Sequence, residues 1–174
     1  MDTALELFAT KGYHGTSIND IAKQAGISKG LLYNYFSGKE ALVITLMKNG
    51  FLEFMELFDP NHDGKISKDE MNYVISETFK SIRERAHFWK LYFAVMSQPI
   101  VNQAAFGEVM EVAMPVIDML TKYFESEGYK NPLAEARIFA AMMDGLTLNY
   151  VYDTENFPID DVISRLKDMY NLND

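Results

Sequence analysis

The chain contains no cysteine. That excludes a disulfide framework, a thiolate nucleophile and a cysteine-type zinc site. Histidine is scarce as well: His14, His62 and His87 are the only three, and they fall in unrelated segments. No P-loop, dinucleotide fingerprint, zinc motif or nucleophile–base pairing occurs, so enzymatic activity is not expected. Long apolar runs and a signal-peptide pattern are also missing, which makes the cytoplasm the expected setting and a membrane span unexpected. Positive charge is in deficit, with 16 Lys and Arg against 25 Asp and Glu and a net charge of −9 over 174 residues. What is abundant is apolar and aromatic surface, 48% and 13% of the residues, enough for a sizeable core.

The charge deficit is uneven. Residues 1–48 hold five lysines (Lys11, Lys23, Lys29, Lys39, Lys48) against Asp2, Glu6, Asp20 and Glu40. Their balance is +1, so the rest of the chain carries −10. Acidic surface is therefore concentrated away from the N-terminal segment, where it would repel a second contact with a duplex. A balance of +1 predicts modest nonspecific DNA affinity with a steep salt dependence.

The N-terminal segment organises the rest. Ser17 and Asp20 form a variant of the capping box, and Ile18, Ile21, Ala22 and Ala25 recur on one face of a short helix. Gly26 supplies the turn that follows, because glycine enters the left-handed region without a Cβ penalty. Ser28 opens a second helix over 29–36 with Leu32 and Phe36 facing inward, and Ser37 with Glu40 caps a third. Two short helices joined by a glycine turn form a helix-turn-helix, whose second helix enters the major groove of DNA. Its outward face offers Lys29, Gly30, Leu31, Tyr33, Asn34 and Tyr35, a set able to reach phosphates and base edges.

Together with ALELFATKGY before it, this stretch resembles the DNA-binding domain of TetR-family transcriptional regulators. The resemblance runs through Phe8, Gly12, Tyr13, Thr16, Ser17, Ile21, Ala22, Gly26, Ser28, Lys29, Gly30, Tyr33, Tyr35, Phe36, Lys39 and Glu40, over the first quarter of the chain. It implies an all-α protein, with a helix-turn-helix domain at 1–46 and a helical regulatory and dimerisation domain at 47–174. Thr16, Ser17, Tyr33, Tyr35 and Lys39 would hold phosphates, while Lys29, Leu31 and Asn34, beside Gly30, would read bases. TetR-like chains carry a longer first helix with basic residues ahead of it. Their absence here implies either a trimmed chain or fewer phosphate contacts.

Beyond the head, a helix over 39–58 places Met47, Phe51, Phe54 and Phe58 on one side, with Gly50 a weak point. The family resemblance makes its tilt the setting for the spacing of two DNA-binding heads. It leads into DPNHDGKISKDE, residues 59–70, which fits the EF-hand loop pattern at every specified position. Asp59, Asn61 and Asp63 would supply side-chain oxygens, Lys65 its carbonyl and Glu70 a bidentate carboxylate to Ca2+. Gly64 permits the bend, and Ile66 takes the usual apolar position. The other reading is an acidic loop whose Asp-Pro and Asp-Gly merely make turns. Calcium loops are not part of the TetR pattern.

The next helix ends about Arg85. Residues 87–96 are apolar nearly all round and predict a buried helix broken at Pro99, then a long helix over 103–125 kinked at Pro115. Helices over 133–153 and 159–170 close the chain. By resemblance these last two form a four-helix dimer interface, with Ala141 and Gly145 allowing close approach, although periodicity does not separate that from an intramolecular core. The family also implies a small-molecule pocket, for which Trp89, Phe93, Met96, Met110, Met114 and Phe139 are candidates for lining an apolar effector site or are simply core. The expected function is a ligand-responsive, dimeric repressor of a palindromic DNA operator. The competing class is a calcium-binding sensor or interaction module without DNA-regulatory activity.

Overall fold

A computed structural model describes the backbone of residues 2–96 and 99–173; the side chains of residues 51, 53, 54, 95, 96, 99–106 and 109 fall outside that description. About three quarters of the chain is helical, and no strand occurs among the described residues. The helices are α1 (Asp2–Gly15), α2 (Ile18–Gln24), α3 (Lys29–Tyr35), α4 (Lys39–Met55), α5 (Lys68–Glu84), α6 (Ala86–Met96), α7 (Pro99–Ser126), α8 (Pro132–Tyr152) and α9 (Ile159–Met169). Helix α6 ends at Met96, ahead of Pro99 as expected, and Pro99 is also the first residue of α7, a position where its missing N–H costs nothing. Helix α7 continues through Pro115. The predicted facing positions Phe51, Phe54 and Val109 lie outside the described side chains.

Two compact units result: Met1–Phe51 with His87–Met110, and Leu52–Ala86 with Glu111–Asp174. The boundary expected at residue 46 is a different division, because α6 and the start of α7 group with the N-terminal helices. In the first unit, capping signals produce α2 and α3 as read from the sequence. Ser17 and Asp20 close a reciprocal capping box, and Ser28 Oγ accepts from Leu31 N at 3.1 Å. Gly26 turns the chain at φ 68°. Leu7, Phe8, Ile21, Ala22, Leu42, Val43 and Met47 are buried, as are Phe88, Trp89 and Leu91 of α6. Gly50 is explained here, since a Cβ at this position would overlap the ring of Phe88.

The second unit is built on α5. Met71, Val74, Ile75, Phe79 and Ile82 are fully buried along one face at helical spacing. Polar contacts fix α5 antiparallel to α9: Asn72 Nδ2 donates to the Leu172 carbonyl (3.1 Å), Lys167 Nζ to Ser76 Oγ (2.7 Å), and Arg83 pairs with Asp160 (2.5 Å). Phe124 of α7 lies against Phe139 of α8 and Tyr170 at centroid distances of 6.2 and 5.5 Å. Burial and Glu135 push the Tyr170 phenol well above its ordinary value. Desolvation by its neighbours also pushes the Asp144 carboxyl on α8 up to about 6, although the residue is exposed to solvent.

Two outcomes follow. Gly50→Ala should destabilise the protein by about 1–3 kcal/mol, because overlap with Phe88 outweighs the gain of roughly 1 kcal/mol in helix propensity. A rise in the thermal midpoint would contradict that packing. The folded-state pKa of Asp144 lies above the unfolded value of about 3.9, so its contribution is greatest at acid pH and is lost as pH rises through 6. Its open side makes the loss smaller than the full shift implies. Asp144→Asn should therefore flatten the decline in unfolding free energy between about pH 4 and 6.5, measured by urea titration across that range.

Candidate nucleic-acid interface

The expected DNA-contacting residues separate into two groups. Helix α3 buries Leu32 and turns the others outward: Leu31 is 41% exposed, Tyr33 48% and Tyr35 75%, with Lys29, Gly30 and Asn34 open to solvent beside them. Lys29 Nζ lies 5.6 Å from the Tyr33 ring centroid, which holds a cation and an aromatic hydroxyl side by side on the presented face. A Cβ on Gly30 would meet little but the Ser28 hydroxyl at 4.0 Å, so the backbone itself can come close to a duplex. This face combines a cation, an amide, hydroxyls and one apolar side chain. Such a set suits both phosphate oxygens and major-groove base edges.

Thr16, Ser17 and Lys39, expected to hold phosphates, each make hydrogen bonds within the head itself. Thr16 is 1% exposed, and its hydroxyl lies 2.9 Å from the Gly12 carbonyl and 3.1 Å from that of Leu7. The reason is the shape of α1. Gly12 departs from helical geometry (φ 76°, ψ 164°), the backbone there loses its regular partners, and the threonine hydroxyl satisfies the exposed carbonyls. Ser17 spends its hydroxyl on Asp20, donating to Oδ2 at 2.6 Å and accepting from the Asp20 N–H at 3.1 Å. Those bonds from Ser17, with Lys11 and Lys23 nearby, hold the Asp20 carboxyl below the usual carboxylate range. Lys39 Nζ donates to the Tyr13 carbonyl at 2.8 Å and stands 4.4 Å from the Tyr13 ring centroid. Tyr13 belonged to the motif but had no assigned role; only its place in space beside Lys39 supplies one.

The Asp59–Glu70 loop is ordered by its own side chains. Asp59 accepts from the N–H groups of Asp63 (2.9 Å) and Gly64 (3.0 Å), Asn61 from Asp63 (3.0 Å), and Asp63 from Lys65 (2.9 Å). His62 and Gly64 have positive φ, 56° and 73°, and Ile66 is buried. Glu70 is occupied at the start of α5: its carboxylate accepts from Ser67 N–H and Asn61 Nδ2, both at 2.8 Å. Every candidate donor is oxygen, a set chemically suited to a hard divalent cation. Among the described residues, however, no group of three or more His, Cys, Asp or Glu side chains stands gathered as a metal site.

The expected effector residues are not brought together in one unit. Trp89, Phe93 and Met110 belong to the first, while Met114 and Phe139 belong to the second; the Met96 side chain lies outside the described residues. Met114 is 45% exposed, its sulfur accepting from Arg137 at 3.6 Å. Phe139 is 1% exposed and packed against Phe124 and Tyr170, so its ring is spent on the core. Within the head, Thr3, Ala4, Ile21, Ala25, Ile27, Leu32, Phe36 and Leu42 line an apolar cavity of about 130 Å³.

Known proteins agree with the geometry of the head. Residues 1–46 match the model of bacterial regulatory proteins of the tetR family. The biofilm operon icaADBC HTH-type negative transcriptional regulator IcaR of Staphylococcus epidermidis is 31% identical over 126 residues, covering 72% of this chain and 67% of that relative. The fatty acid metabolism regulator protein of Bacillus subtilis is 28% identical over 159 residues, 84% of this chain and 79% of the relative. Among solved structures, the transcriptional regulator FadR from Bacillus subtilis in complex with stearoyl-CoA superposes with a TM-score of 0.80 at 22% identity, over 97% of this chain and 94% of that one. The helix-turn-helix with its all-helical continuation defines a DNA-binding regulator rather than an enzyme. The chain belongs to the TetR family of transcriptional regulators.

Thr16→Val should destabilise the protein by about 1–3 kcal/mol, because the buried Leu7 carbonyl and the part-buried Gly12 carbonyl lose the one hydroxyl proton they share. The molecules that remain folded should bind DNA as before. A normal urea midpoint with weakened DNA binding would reverse the assignment.

Proposed function

We propose that the protein is a ligand-responsive repressor that binds a palindromic operator as a homodimer, with α3 as the reading helix. The exposure of Lys29, Leu31, Tyr33, Asn34 and Tyr35 on one short helix, above a buried Leu32, carries this reading. Dimerisation through α8 and α9 is supported by the solvent-facing stripe of Ile138, Ala141, Leu148 and Tyr152 on α8, together with Met169 on α9. An isologous dimer presents two reading helices to half-sites one helical turn apart, about 34–36 Å. A small apolar effector would act by favouring one arrangement of the two heads over another.

A second element of the proposal is Ca2+ at the Asp59–Glu70 loop. The oxygens of Asp59, Asn61 and Asp63 are already held on successive N–H groups, and Asn61 touches Glu70 across the loop. Binding would draw Glu70 from its contacts with Ser67 and Asn61 to join these oxygens and the Lys65 carbonyl. The ion then ties the end of α4 to the start of α5, in a structural role or, if affinity differs between DNA-competent and incompetent states, in a regulatory one.

Genomic fragments bound by the purified protein, sequenced from parallel selections with calcium and with chelator, test both parts. A shared palindrome is the expected product, and recovery of no site in either arm sinks the repressor reading. Recovery in one arm alone makes calcium an effector, whereas equal recovery removes the regulatory role and leaves the structural one to the stability measurement. At a calcium concentration about 100 times the dissociation constant, stability should rise by roughly 2.7 kcal/mol in the parent and not in Glu70→Gln. A parent whose thermal midpoint ignores calcium leaves the loop as a turn.

A further inference from the structure

The large apolar side chains that the first unit leaves in solvent are not scattered. Among its described residues, Ile27, Leu31, Tyr33 and Tyr35 are the exposed ones, all within residues 27–35. Single exposed apolar residues are ordinary on a protein surface, whereas a patch confined to one short helix and its approach marks a contact. Helix α3 sorts the patch by its own geometry. Leu32 faces the core and is buried. At about 100° per residue, Gly30 and Asn34 stand opposite Leu32, with Lys29 and Tyr33 on one flank and Leu31 and Tyr35 on the other. Lys29 and Tyr33 are turned toward each other, with Nζ 5.6 Å from the ring centroid. Leu31, 41% exposed, lies in the first turn of the helix, where Ser28 Oγ accepts its N–H at 3.1 Å.

We propose that Leu31 is a specificity-determining residue, packing its isobutyl group on the C5-methyl of a thymine in each operator half-site. The inference rests on the reading of α3 as the helix that enters the major groove, and it names the base that one position selects. The first turn of such a helix comes nearest the base edges. Leu31 has no polar side-chain atom to offer a phosphate or a base edge, and the thymine methyl is the apolar group that the major groove displays. A cytosine in the same place would set its N4 amino donor against the leucine, dry and without a partner. Apolar contact of this kind carries no charge, so it discriminates between sequences without adding to the salt dependence. That suits an N-terminal segment whose charge balance is only +1.

The test starts from a duplex that the full chain selects from a randomised pool. Each thymine is replaced in turn, in both half-sites together, by deoxyuridine, which removes the C5-methyl and keeps Watson–Crick pairing. Every duplex is titrated with the parent and with Leu31→Ala, and a scrambled duplex of equal length serves as the nonspecific reference. One deoxyuridine position should weaken parent binding about fifteenfold, from the loss of two buried methyl groups. This change lies in the DNA, so the parent's result does not depend on how any variant folds. Leu31→Ala should bind the thymine duplex at least as weakly as the parent binds that deoxyuridine duplex, and it should be indifferent to the same replacement, since both changes remove one contact. Its thermal midpoint, its salt slope and its binding to the scrambled duplex should stay those of the parent. A deoxyuridine that weakens both proteins alike at every sensitive position would place the methyl contact elsewhere and overturn the inference. So would a Leu31→Ala that weakens the selected and scrambled duplexes equally. If the parent selects no duplex, the repressor reading fails and takes this inference with it; a parent that selects a duplex but shows no Leu31-dependent methyl loses this inference alone.

Discussion

The head depends on how α1 ends. Gly12 leaves helical geometry there, and the backbone groups that it exposes must find partners or carry a desolvation cost. Thr16 meets this need from inside by bonding the carbonyls of Gly12 and Leu7, and Lys39 meets it from α4 through Tyr13. With those bonds made, α2 departs from α1 at a set angle. The Ser17–Asp20 box then starts α2, Gly26 ends it, and α3 is carried to the surface with five side chains outward. The family's DNA-facing motif is thus partly a set of internal braces. Residues that look polar and available from spacing alone are already bonded to the fold.

Charge is divided in a way that matches these roles. Residues 1–48 carry a small positive balance, and all the net negative charge lies beyond them. A head at +1 does not bind DNA by charge alone, so geometry must supply more of the discrimination. That gives weight to whatever holds α3 in register. The second unit achieves its own rigidity differently, with a fully apolar α5 face and three polar contacts that align α5 with α9.

The Asp59–Glu70 loop stands between α4 and α5 and starts the helix on which the second unit is built. Its pattern is chemically coherent with calcium, yet Glu70 also belongs to the capping box of α5. Ion binding and helix capping would draw on the same carboxylate.

The helix-turn-helix was legible because its signals are local. Capping boxes, glycine turns and a 3.6-residue apolar period act among residues a few positions apart, and α2 and α3 appear within a residue or two of where those signals place them. The apolar face of α5 was legible for the same reason. Tertiary structure alone decided which polar groups stay free. Lys39 meets Tyr13, Gly50 meets Phe88 and Arg83 meets Asp160 through space, across separations that no periodicity records. The sequence by itself determined the helices and turn of the helix-turn-helix and the outward side chains of α3. Packing determined that Thr16 and Lys39 brace the head and that Phe139 belongs to an aromatic core, because a side chain's partners are set by where distant helices cross.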